Sequence, residues 1–116
     1  MNLHKRSHGK SFLDMVQNSF SKKGLYLLDE PEAALSSQKQ LTILVEIYKY
    51  LKEGLQFIIA THSPVLLGMP DADILSFDNG SIHKCSYEDT DSYQITEMFL
   101  HNREQVLSYL LKEWFR

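Results

Sequence analysis

Two short apolar runs, held apart by a single amphipathic stretch of helical period, constrain this chain more than any other feature. In "GLYLLDEPEAALS", residues 24 to 36, Leu25 to Leu28 are wholly apolar and the chain then passes straight into Asp29, Glu30 and Pro31. In "QFIIATHS", residues 56 to 63, an apolar run containing two isoleucines ends on Thr61, His62 and Ser63. The intervening "SSQKQLTILVEIYKYLKEG" reads as a helix. Ser37 precedes Gln40 by three residues, the capping-box spacing, and Gly54 sits where a helix stops. Leu41, Leu44, Val45, Tyr48 and Leu51 fall on one face of that helix, which is expected to point inward. A helix between two strands returns the chain so that the strands pair in parallel, through a right-handed crossover. Uninterrupted apolar strands of this kind are expected to be covered on both faces.

Functional side chains in parallel sheets collect at the carboxyl ends of the strands. Asp29 and Glu30 occupy one such end, Thr61 and His62 the other. Ionised carboxylates at the end of a buried strand are costly unless a cation or hydrogen bonds compensate, so a positive group or a proton to be removed is expected beside them. An apolar strand ending in Asp-Glu is the layout of a Walker B motif, in which the first carboxylate helps hold Mg2+ and the second orients the water that attacks a terminal phosphate. A histidine at the next strand end supplies a neutral donor for the same phosphate. Two blander readings stand beside these: a turn capped by Asp-Glu-Pro, and a histidine satisfied as an ordinary polar residue.

The rest of the chain extends the pattern into one domain over residues 1–116. "SFLDMVQNSF" places Phe12, Met15, Val16 and Phe20 at helical spacing. "PVLLGM" suits a short helix entered at Pro64. "DILSFD" and "SIHKCSY", joined at Asn79-Gly80, read as an antiparallel hairpin. The remainder reads as one broken helix or two successive ones, with Ile95, Met98, Phe99, Val106, Leu107, Leu110, Leu111 and Trp114 facing inward. The fold class is α/β, with a mostly parallel sheet closed by a C-terminal antiparallel hairpin and helices.

Charge excludes little but indicates less. Twelve Lys+Arg against 15 Asp+Glu give a formal charge of −3, so nothing global points to nucleic acid or an anionic membrane. The basic cluster His4, Lys5, Arg6, His8 and Lys10 is the local exception, a solvated terminus or the footing of a DNA-binding role. The single cysteine, Cys85, excludes an internal disulfide framework and fits a reducing compartment. No apolar run has the length to span a bilayer, and the expected setting is cytoplasmic.

"LYLLDEPEAALS" followed by "FIIATHSPVLL" resembles the Walker B, D-loop and switch-histidine segments of ATP-binding-cassette ATPases. Among these the sequence most resembles the soluble, non-transporter branch, often labelled AAA-family or ABC-like ATPases and related to the SMC and recombination-repair ATPases. "SHGKSFL", Ser7 to Leu13, resembles the signature motif of that branch, and "YQITEMFLHN" the helix after its sheet. The resemblance implies a partial P-loop NTPase fold, three-layer α/β/α, with ATP as substrate and Mg2+ as cofactor. It assigns Asp29 to the metal, Glu30 to the attacking water and His62 to the γ-phosphate. Ser7 and Gly9 would present the signature loop to a nucleotide held by another subunit. Two departures are visible: the signature glycine pair is reduced to "SHG", and Ser36 stands where transporters end the D-loop with aspartate.

A phosphate-cradling G-x-x-x-x-G-K-[ST] loop is matched only in its last three positions, Gly9, Lys10 and Ser11, because its first glycine would fall at His4. The expectation is therefore the C-terminal half of an ATPase domain, completed by a homodimer or by a partner chain that carries the P-loop. The alternative is a non-catalytic interaction module or a truncated remnant of such an ATPase.

Overall fold

The computed structural model describes residues 24–78 and 80–114. The candidate helix bearing Phe12 to Phe20, the basic cluster, and Ser7 and Gly9 lie outside the described residues. The chain divides into two compact units, one ending at Ala72 and the other starting at Asp73.

In the first unit, β1 (Leu25–Asp29), α1 (Ser37–Lys52) and β2 (Gln56–Ala60) follow in the expected order. The strands pair in parallel, with Leu25 opposite Gln56 and Asp29 opposite Ala60. Two further bonds extend the ladder, from Gln56 N–H to Gly24 O (2.9 Å) and from Glu30 N–H to Ala60 O (2.7 Å). Helix α1 is bounded by local chemistry at both ends. Ser36, not Ser37, is the N-cap, its hydroxyl accepting from Lys39 N–H at 3.2 Å. The capping-box expectation thus misses by one residue, because the backbone enters the helix at Ser36 with extended geometry. At the far end Gly54 adopts φ 97°, which only glycine enters without cost. Gly54 N–H bonds Leu51 O (3.1 Å) and Leu55 N–H bonds Tyr50 O (3.1 Å), so the last carbonyls are satisfied by a Schellman motif.

The core of this unit is Leu35, Ile43, Ile47, Leu55 and Leu66, with Tyr26, Leu28, Leu44, Tyr50, Leu51, Phe57, Ile59 and Met69 packed against it. Ile43 and Ile47 are fully buried, each worth about 1.5–3 kcal/mol of burial free energy. On the core side of the sheet the register partners Tyr26 and Phe57 stack, with ring centroids 5.6 Å apart.

Two expectations are corrected here. The helix turns its 43–47 stripe inward, whereas Leu41 and Val45 are exposed. The run "LTILVEIYKYL" carries apolar residues on more than one stripe, and packing against the strands selects between them. The strands, moreover, are covered on one face only among the described residues. Leu25 (54%), Leu27 (71%) and Ile58 (57%) remain exposed on the other. Asp29 belongs to this exposed set, so the desolvation cost expected for a carboxylate on a buried strand does not arise. Among the described residues this unit shows two layers, the strand pair and the helix.

After β2 the expected short helix takes the form of one 3-10 turn, Leu66–Gly68. In the second unit β3 (Ile74–Ser76) and β4 (His83–Cys85) pair antiparallel as a separate two-stranded sheet. The expected hairpin is there, and its connection carries a bond from Ser81 N–H to Asp78 O at 3.0 Å and Gly80 at φ 72°; Asn79 itself lies outside the described residues. The connection is longer than a two-residue hairpin loop. Helices α2 (Asp91–His101) and α3 (Arg103–Leu110) follow, broken at Asn102. Of the side chains expected to face inward there, Val106 and Leu107 are half-buried. Ile95, Met98, Phe99, Leu110, Leu111 and Trp114 are exposed.

Candidate functional site at the carboxyl ends of the parallel strands

Parallel pairing in register places the polar residues that follow β1 and β2 side by side. Asp29 closes β1 opposite Ala60, and Glu30 and His62 lie just beyond the two strand ends. Glu30 Oε1 is 3.9 Å from His62 Nε2, and the side chains are 56% and 89% exposed, so both heads are open to a ligand. Glu30 is also one of three non-glycine residues with positive φ among the described residues, at 48°. This left-handed geometry costs on the order of 1–2 kcal/mol and is held by the Glu30 N–H bond to Ala60 O and by the buried ring of Pro31. It breaks the alternation of β1, so Glu30 does not simply continue the strand.

The loop after β1 closes on itself through backbone bonds from Ala33 N–H to Glu30 O (3.0 Å) and from Leu35 N–H to Glu32 O (2.9 Å). It is also tied to the loop after β2 by side chains. The Glu32 carboxylate accepts from the Thr61 hydroxyl at 2.6 Å and from His62 N–H at 3.2 Å. Thr61 Oγ1 in turn accepts from Ser63 N–H at 3.0 Å. The buried Ser63 hydroxyl donates to Gln40 Oε1 at 2.6 Å and accepts from Val65 N–H (3.2 Å) and Leu66 N–H (3.1 Å). Gln40 completes the tie by donating from Nε2 to Leu35 O at 3.3 Å.

Residues 12–68 match a family model. That model is described as "AAA domain, putative AbiEii toxin, Type IV TA system", and the match, just under half of the chain, runs from the candidate N-terminal helix through β1, α1 and β2 to the 3-10 turn. It supports an AAA-type P-loop ATPase-like domain, with which the α/β architecture and parallel strand pair are compatible. No curated protein matches the sequence.

Of the five residues singled out from sequence, the structure brings Glu30 and His62 together, with Asp29 at the adjoining strand end. Ser7 and Gly9 lie outside the described residues. Glu32 and Gln40 were missed. Glu32 stands in an irregular turn where no periodicity marks it, and Gln40 falls at a spacing that also fits a cap.

The donor set suits a hard cation only in part. Among the described residues no three His, Cys, Asp or Glu side chains converge, so these residues alone offer no complete cage. Two adjacent carboxylates nevertheless fit the way Mg2+ is commonly held, by one or two protein oxygens together with waters and substrate phosphates. No helix among the described residues is long and apolar enough to cross a membrane.

Proposed function

We propose that this chain contributes to ATP binding and ATP hydrolysis in an ABC-like ATPase, supplying the Walker B, switch-histidine and signature parts of a site completed by a P-loop segment. The observation that carries the reading is the approach of Glu30 to His62 at the ends of two parallel strands, both side chains open to a ligand. Asp29 would hold Mg2+, which when bound neutralises charge on the transferring phosphate. Glu30 orients the attacking water and accepts its proton at the carboxylate. His62 donates to a terminal phosphate oxygen from its exposed imidazole. Ser7 and Gly9 would present the signature loop to a nucleotide on a second subunit, in a homodimer or with a partner chain carrying the P-loop, in a cytoplasmic setting.

Titration of Mg-ATP into the chain alone, and into the chain assembled with a P-loop-bearing partner, tests this reading. Binding that appears on assembly is the expected result. Absence of binding in both would favour a non-catalytic interaction module.

A further inference from the structure

We infer that Glu32 is a positioning residue, which sets the backbone of His62 relative to Glu30 by clamping the loop after β2 to the loop after β1. Three observations carry this. The turn containing Glu32 is closed by its own backbone bonds, Ala33 N–H to Glu30 O and Leu35 N–H to Glu32 O, so the carboxylate is not needed as a cap for that turn. Both of its oxygens are instead used on the other loop, one on the Thr61 hydroxyl at 2.6 Å and one on His62 N–H at 3.2 Å. Hydrogen bonds to a carboxylate are stronger than neutral ones; the bond to the Thr61 hydroxyl is half-buried, where water competes less, and the bond to His62 N–H is exposed. The contact to His62 is made at its amide, so the imidazole stays exposed while its point of attachment is fixed.

The consequence is coupling between two site residues. Glu30 and Glu32 share one turn, so a shift of either strand-end loop is passed to the other through a carboxylate rather than through the sheet alone. Gln40 acts beside it on the buried Ser63 and secures the same loop one residue further on. That the geometry so fixed serves hydrolysis rests on the function proposed above; that Glu32 fixes it does not.

The test uses the full chain and reads amide hydrogen exchange by NMR. Glu32→Ala should speed exchange at His62 by about tenfold, the loss of roughly one hydrogen bond. The amides of Ile43 and Ile47 should keep their protection. Glu32→Gln, which retains a carbonyl acceptor, should restore part of the protection at His62. Unchanged exchange at His62 in Glu32→Ala would overturn the inference, and so would an equal loss at Ile43 and Ile47, which would reduce Glu32 to a general structural role. In an ATP-hydrolysing assembly Glu32→Ala should lower kcat by about tenfold with KM for ATP held, since a displaced group costs turnover more than binding. If hydrolysis proves indifferent to Glu30→Gln, the functional reading fails while the exchange result still decides the role of Glu32.

Discussion

The two units of this chain bury their apolar residues very differently. In the unit ending at Ala72, one helix laid across two parallel strands leaves Ile43 and Ile47 with no exposed surface and closes a core of five residues among those described. In the unit from Asp73, Thr90 is buried, but no apolar side chain among the described residues is; Leu100 and Trp114 are exposed at 72% and 79%. Helices α2 and α3 nonetheless carry apolar residues at helical spacing, less strongly than α1 does. Amphipathic periodicity thus specifies a helix, but burial needs an opposing surface, which β1 and β2 provide for α1.

Truncation of one isoleucine in each unit would break this contrast most sharply. Ile47→Ala should cost about 2–5 kcal/mol in urea unfolding, by lost transfer energy and the cavity left behind. Ile95→Ala, at an exposed site, should stay within about 0.5 kcal/mol. Equal costs would show that the second unit has a core of its own.

Polar burial gives a smaller effect. Ser63→Ala would leave Gln40 Oε1 and the amides of Val65 and Leu66 without the hydroxyl, at about 1–3 kcal/mol. In the second unit Thr90 caps α2, accepting from Tyr93 N–H at 3.2 Å, and Thr90→Ala should cost about 1 kcal/mol. The same unfolding curves measure both.

Backbone strain in the first unit predicts a gain. Ala34 is held at φ 64°, so Ala34→Gly should relieve about 1–2 kcal/mol of left-handed strain against about 0.4–1 kcal/mol of unfolded-state entropy. A modest rise in Tm is the expected outcome.

The smallest effect concerns pH. Burial first, then the Glu46 and Glu53 carboxylates, raise the pKa of the Tyr50 phenol above its ordinary value, which means the folded state binds that proton more tightly. Stability of the first unit should therefore fall as pH climbs from about 10 through the raised value, and Tyr50→Phe should flatten that slope.

Much of the first unit was legible because its signals are local. The change from apolar runs to helical period gave β1, α1 and β2, and polar residues just past each run marked the strand ends where Glu30 and His62 meet. The inward stripe of α1 was not legible, because Leu41 and Val45 repeat as well as Ile43 and Ile47 do, and only the facing strands distinguish them. Glu32 and Gln40 were illegible for a related reason. Their partners, Thr61, His62 and Ser63, lie more than 20 residues away in sequence, and no local pattern announces a hydrogen bond of that range. In the second unit the helices and hairpin were readable, but the inward placement of Ile95, Phe99 and Trp114 assumed an opposing surface that the described residues do not provide.

The central claim is that Glu30 serves hydrolysis at a site shared with a P-loop. ATP turnover by the chain assembled with a P-loop-bearing partner, wild type against Glu30→Gln, measures it most directly. Turnover should fall by at least about 100-fold, the scale of a lost general base, while ATP remains bound. Undiminished turnover in the Glu30→Gln assembly would contradict the account.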